Sequence, residues 1–293
     1  MSEKRMGRIG QTGVYLGKCF RMFVNEKGWK SLISTVIIAV ILAWVIGDNT
    51  FVVNEPTKTG TFAMICGCIW IGMFNSVQTI CRERAIIKRE HRTGLHITSY
   101  MLAHVIYEFL QCMAEGLILT IVFDIYRDFP NHGIMVEWIG MEFFISFTLI
   151  IFSADAIGLM ISSIVKTENA AMTIMPFALI IELVLAGLMF QLPEDAEFLK
   201  SFTVSRWGLQ AICTSADINE IPTWDTYEKM KEFALDPNSY SSWKDLGLTQ
   251  QYDIDYDGTS QHLLLCWLML ILHTTSYLTI GTISLKLVDL DKR

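Results

Sequence analysis

Long apolar stretches separated by short charged blocks dominate the chain. Six of them approach or exceed the roughly 20 residues that a helix needs to cross a hydrocarbon core about 30 Å thick. They are residues 31–47, 59–80, 100–123, 139–165, 170–192 and 262–285, and none contains a Lys or Arg. The pattern predicts an all-α polytopic membrane protein with six transmembrane helices. Ahead of the first span, Val14, Tyr15, Leu16, Phe20, Met22 and Phe23 alternate with Lys18 and Arg21. That alternation suits an amphipathic helix lying in the headgroup plane, or one packed on a partner.

The spans divide the chain into a cytoplasmic N-terminus with the interfacial helix (1–30), spans one to five (31–192), an outer segment (193–260), and span six with a cytoplasmic tail (261–293). The outer segment opens with apolar and aromatic residues, Phe198, Leu199, Phe202, Trp207, Leu209 and Ile212, predicting short re-entrant helices. It continues from 217 to 258 as a polar, acidic lid carrying Trp224, Tyr227, Tyr240, Trp243, Tyr252 and Tyr256. Only four residues part the fourth span from the fifth, which predicts antiparallel neighbours.

Composition sharpens this picture. Apolar residues make up 52% of the 293 and charged residues 18%, with a mean hydropathy of +0.39. Soluble domains carry about 25% charged residues. Disorder and a basic nucleic-acid binder are excluded, and seven scattered Cys do not frame a disulfide scaffold. With the N-terminus inside, the inner segments hold 16 Lys and Arg and the outer ones seven, while 193–260 carries thirteen Asp and Glu. The positive-inside rule therefore predicts a multi-pass protein of the cell membrane with both termini cytoplasmic.

Catalytic motifs are missing from the sequence. Gly17-Lys18-Cys19 lacks the upstream glycine of a phosphate-binding loop and has Cys where Ser or Thr must hold magnesium. No zinc-protease helix, nucleophile elbow or Cys-x-x-Cys pair occurs, so no catalytic residue, metal site or cofactor is assigned to this chain.

Four acids fall inside spans without a basic partner there: Glu108, Glu115, Asp155 and Glu182. An ionised acid at the centre of a lone helix costs about 2.5–3.5 kcal/mol on insertion scales. His104 and Glu108 share one helical face, and Glu115 follows on nearly the same stripe. Arg82 or Arg84 could reach Glu108 from the inner end. Glu115, Asp155 and Glu182 are either hydrogen-bonded between helices or line a wet cavity suited to cationic cargo. Pro176 withdraws one backbone hydrogen bond from the fifth span and predicts a kink.

The inner block at 81–96 and the residues after it read Cys81-Arg82-Glu83-Arg84-Ala85-Ile86-Ile87-Lys88-Arg89-Glu90, then Gly94 and Tyr100. On periodicity alone this is a short basic amphipathic helix at the inner face, anchored on anionic lipid. Its order of acid, Arg-Glu pair, Gly and Tyr resembles the coupling-helix region of type-2 ABC exporter permeases, nearest to the G-subfamily (white/pleiotropic-drug-resistance) kind. Three further stretches resemble the same family: Gly158-Leu159-Met160-Ile161-Ser162-Ser163, Ala186-Gly187-Leu188-Met189-Phe190-Gln191-Leu192-Pro193, and Arg206-Trp207-Gly208-Leu209-Gln210-Ala211-Ile212. They match its fourth-span end, its fifth-span exit and its re-entrant segment.

The resemblance implies a permease half moving a substrate by alternating access. Its partners would be a second permease copy (a homodimer) or a homologous permease, membrane lipid, and a separately encoded ATPase that binds ATP and Mg. Glu83, Arg84, Lys88, Arg89 and Glu90 would couple to that ATPase. Arg82, His104 and Glu108 would form a polar relay to the spans. Ile71 and Phe74 would line the substrate cavity, and Leu188 and Met189 would form an exit plug. Glu115 and Glu182 match no pattern of that family and join the cavity lining only on the wet-cavity reading of the intramembrane acids. Cys213 would be the outer cysteine, either free or paired with its own copy. Two other classes stay open: a membrane-embedded enzyme using His104, Glu108 and Asp155 as acid–base groups, and a ligand-sensing membrane receptor.

Overall fold

The computed structural model describes residues 7–127, 129–188, 193–232 and 252–287, and among them there is helix and no strand. The helices are α1 (Arg8–Asn25), α2 (Lys30–Val45), α3 (Asn54–Ser76), α4 (Thr79–Arg92), α5 (Ile97–Tyr126), α6 (Ile139–Ile164), α7 (Glu168–Val184), α8 (Val204–Ser215), α9 (Trp224–Glu232) and α10 (Ser260–Lys286). Short 3-10 segments lie at Glu194–Phe202 and Ile254–Tyr256.

Among the described residues, four stretches are long and apolar enough to cross a membrane: Asn54–Arg92, α5, α6 and α10. A fifth is reached when α1 and α2, which meet at 67°, are taken as one broken span. The expected first and fifth spans are short helices of 16 and 17 residues, about 24–26 Å at 1.5 Å per residue. The elbow between α1 and α2 is a helix stop built on Lys27. Lys27 takes a left-handed φ of 58°, and the Gly28 amide returns to the Phe23 carbonyl at 2.7 Å. That is the six-to-one bond of a Schellman end, with Lys where Gly is usual.

α3 and α6 form the central pair. Each has 72% of its most apolar window buried, against 33% for α5 and 28% for α10. Their close approach depends on two glycines. A Cβ at Gly72 would overlap the Ile151 carbonyl, and one at Gly158 would overlap the Ser76 hydroxyl. Small residues at a crossing let backbones approach where lipid offers no hydrophobic drive for association.

α8 is buried against α3, α6 and α10, with Gly208 facing Ile65 and Ile150 in the middle turns of α3 and α6. Cys213 on α8 is fully buried. The Asn54 side chain at the start of α3 donates to the Ile218 carbonyl at 2.8 Å. Asn219 in turn holds the Asp253 and Tyr256 carbonyls at 3.1 and 2.8 Å. Lys58 pairs with Asp253 at 2.8 Å. The outer segment is thus tied to one end of α3. Tyr240 and Trp243 of the expected lid lie outside the described residues.

Candidate coupling site and inner cavity

α4 is basic because eight of its fourteen residues are Arg, Lys, Glu or His with an excess of Arg, yet one face of it is apolar. Ile80, Cys81, Glu83 and Ile87 are buried, and Ile80 and Ile87 join a small core with Leu95, Ile97, Tyr100, Leu159 and Leu285. The opposite stripe, Arg82, Ala85, Ile86, Arg89 and Arg92, is exposed. Its spacing of three and four residues gives a continuous cationic face with an isoleucine at its centre.

Four hydrogen bonds fix α4 against the end of α6. The Ser162 hydroxyl accepts from the backbone amides of Ile80 and Cys81, both at 3.0 Å. A hydroxyl from another helix thereby takes two of the four amides that a helix start leaves without intrahelical acceptors. The Arg84 guanidinium donates to the Ser163 and Val165 carbonyls at 2.9 and 3.0 Å. A cation at the last carbonyls of α6 is also favoured by that helix's dipole.

α1 holds α4 from the other side. Lys18 lies 2.6 Å from Glu83, Tyr15 donates to the Glu90 carboxylate, and Arg82 meets Glu26 at 3.2 Å. Gln11 bridges the turn after α4, donating to the Gly94 carbonyl at 3.2 Å and accepting from the His96 amide at 2.9 Å. Tyr100 on α5 adds a bond to Glu83 at 3.0 Å. Burial first, and then the Glu90 carboxylate, push the Tyr15 phenol above its ordinary range. The amphipathic helix therefore packs on α4 and α5, while Val14, Phe20 and Val24 stay exposed on its outer side.

The five residues expected at the ATPase-facing surface are placed differently from one another. Arg89 is exposed and Lys88 half-buried. Glu83, Arg84 and Glu90 are turned onto α1, α5 and α6 by the bonds just described. Arg82 pairs with Glu26 rather than with Glu108. Even so, Arg82, His104 and Glu108 all line one cavity of about 280 Å³, enclosed by the α1–α2 elbow, the break between α3 and α4, and α5. Phe74 lines it as well, half exposed and stacked on Trp70. Ile71, expected beside Phe74, is turned into the core at 3% exposure.

Glu115 and Glu182 face separate neighbours. One Glu115 oxygen accepts from Asn75 at 2.8 Å and Gln111 at 3.2 Å. Glu182 accepts the Ser205 amide at 3.1 Å, in the first turn of α8. It does there what an acidic cap does for a helix start. Asp155 is fully enclosed, and among the described residues neither side-chain oxygen has a hydrogen-bond partner. Leu188 is half-buried, and Met189 lies outside the described residues.

Sequence reasoning missed Lys18, Tyr15, Gln11 and Ser162. The amphipathic pattern marked a helix at α1, but nothing in it named the partner. Among the described residues no group of three or more His, Cys, Asp or Glu is arranged to hold a metal ion.

Two comparisons with known proteins give a match. The family described as "ABC-2 type transporter" matches residues 11–211. An ABC transporter ATP-binding/permease protein of Mycobacterium tuberculosis is 23% identical over 212 residues, which is 68% of this chain. The chain spans 24% of the length of that relative.

Proposed function

The chain belongs to the ABC-2 type transporter family, and from that premise we propose that it is the membrane half of an ATP-driven exporter of the G-subfamily kind, working by alternating access. It is a transporter permease and a multi-pass membrane protein. The ATP-hydrolysing partner is an ABC ATPase in a separate subunit, binding ATP and Mg. The name of the mycobacterial relative joins ATP-binding to permease, which supports such a pairing. A second permease copy completes the assembly, and the inner bias of Lys and Arg supports cytoplasmic termini.

The observation that carries this reading is the two-sided character of α4. Its buried faces are bonded to α1, α5 and α6, so it cannot shift alone. Its exposed face is the stripe of Arg82, Ile86, Arg89 and Arg92. An ATPase groove with acidic walls and an apolar floor fits that stripe. Lys88 and Arg89 make the contact, while Glu83, Arg84 and Glu90 pass the displacement to the spans. Arg82, His104 and Glu108 lie along the same route. Phe74, with Trp70, forms the cargo-facing surface of α3, and Leu188 and Met189 close the exit.

The test is co-purification with a candidate ABC ATPase and the rate of ATP hydrolysis by the pair. Arg89→Glu should abolish retention of the ATPase or cut its stimulated hydrolysis at least about tenfold, as expected for charge reversal at a steered interface. Hydrolysis and retention unchanged by both Arg89→Glu and Ile86→Asp would end the coupling assignment.

A further inference from the structure

We propose that the inner cavity is a binding site for a compact organic cation, with the Glu108 carboxylate as its counter-ion. This stands on the geometry of the cavity and does not rest on the transport reading.

Every other charge around the cavity is matched. Arg82 pairs with Glu26 at 3.2 Å, and Lys18 pairs with Glu83 at 2.6 Å. Glu108 is left over. It is 4% exposed, it lines the cavity, and among the described residues nothing hydrogen-bonds or ion-pairs with its carboxylate. Its oxygens also differ from those of Asp155, which are sealed from all space. A buried acid without a partner is costly, and a group that brings a positive charge to it removes that cost.

The other walls select the kind of cation. Phe23, Phe74 and Tyr107 present aromatic surface to the same space, and aromatic faces attract ammonium groups. Tyr107 is held in place by edge contacts from Phe20 and Phe23, with centroids 5.8 and 6.3 Å apart. A single carboxylate with aromatic walls suits an organic ammonium better than a metal ion, which calls for several converging oxygens. A cavity of about 280 Å³ admits a small body, such as a protonated primary amine on an aryl or short alkyl group. The Arg82–Glu26 pair, with both side chains about half exposed, stands at the solvent side of this space.

An ammonium can come from a free amine or from an ethanolamine headgroup of lipid. The experiment separates them. Phenethylamine and its uncharged isostere 2-phenylethanol are titrated into the full chain in dodecyl maltoside, without ATPase or nucleotide. Phenethylamine should bind saturably and the alcohol at least about tenfold more weakly, the scale of a charge-assisted contact. Glu108→Gln should erase the difference. Phe74→Ala, at a half-exposed position where truncation opens no core void, should weaken the amine about threefold. It decides the matter if the Glu108 variant does not fold. The exposed outer variant Glu197→Gln should bind as the parent does.

Added phosphatidylethanolamine that raises the apparent Kd assigns the site to headgroups, and indifference to it assigns the site to soluble amines. Equal binding of amine and alcohol, no saturable binding of the amine, or affinity unmoved by both Glu108→Gln and Phe74→Ala would overturn the proposal. Loss of ATPase coupling would leave it standing, because no step of the titration involves the ATPase.

Discussion

The Lys18 ammonium lies 2.6 Å from the Glu83 carboxylate, joining the first helix of the chain to the buried side of a helix 65 residues later. Tyr100 completes the group at 3.0 Å from the other oxygen. Glu83 is nearly enclosed and Lys18 about one-third exposed, so the carboxylate depends on both donors. Replacing Lys18 with Met strands that charge and should cost about 2 kcal/mol of stability. Thermal unfolding in detergent checks this. In the Lys18→Met/Glu83→Gln double variant much of the loss should return, because no uncompensated ion remains.

Ser162 supplies a start to a helix it does not belong to. Ser162→Ala removes the acceptor for the Ile80 and Cys81 amides and should cost about 1 kcal/mol, the usual effect of a lost cap. Hydrogen exchange locates the effect. The first turn of α4 should exchange faster while the middle of α6 does not.

The crossing of α3 and α6 leaves no room for a methyl group at Gly158, which faces Ser76, Met73 and Val77 of α3. Gly158→Ala should therefore destabilise by about 1–3 kcal/mol through overpacking. The companion change Gly13→Ala, at an open position on α1, should be neutral or slightly stabilising, since Ala is the better helix former. Equal effects at both positions would contradict the close approach.

Cys19 on α1 faces His104, its sulfur 3.8 Å from Nδ1. Burial, then the Glu108 and Glu83 charges, push its thiol up to about 12. The raised value means that the fold favours the neutral thiol. That contribution is full below the pKa of the unfolded thiol and fades as pH climbs from there toward about 12. At pH 8, Cys19 should resist maleimide in the native protein and react once the protein is denatured in SDS. Mass spectrometry of the labelled peptide reads the outcome.

Hydropathy made most of the bundle legible. The ranges for the second, third, fourth and sixth spans fall on α3, α5, α6 and α10 within a few residues, because a lipid-crossing helix must be apolar along its whole length. The stop between α6 and α7 was legible for the same reason. Stretch 31–47 falls on α2 within two residues. Stretch 170–192 meets the start of α7 within two residues but runs past its end at Val184, because the composition stays apolar beyond the last helical turn.

The site was legible in part. A basic amphipathic block marked α4, and the stripe of Arg82, Ile86 and Arg89 could be read from its spacing. The inward role of Glu83 could not, since its partners lie at 18 and 100, and periodicity carries no information about contacts distant in sequence. Ser162 was part of a stretch matched for its resemblance, but a hydroxyl gives no sign of which amide it will meet. Ile71 fell one position away from the exposed Trp70, an error of one helical step of 100° that turns a lining residue into a core residue.

α3 and α4 follow one another so directly that Asn54–Arg92 runs as 39 residues of nearly continuous helix. At 1.5 Å per residue that is a rod of about 58 Å, close to twice the hydrocarbon thickness. Its far tip is lashed to Ile218 and Asp253 through Asn54 and Lys58. On the coupling proposed above, a push delivered at Arg89 is applied to a lever whose other arm carries the segment around Ile218 and Asp253.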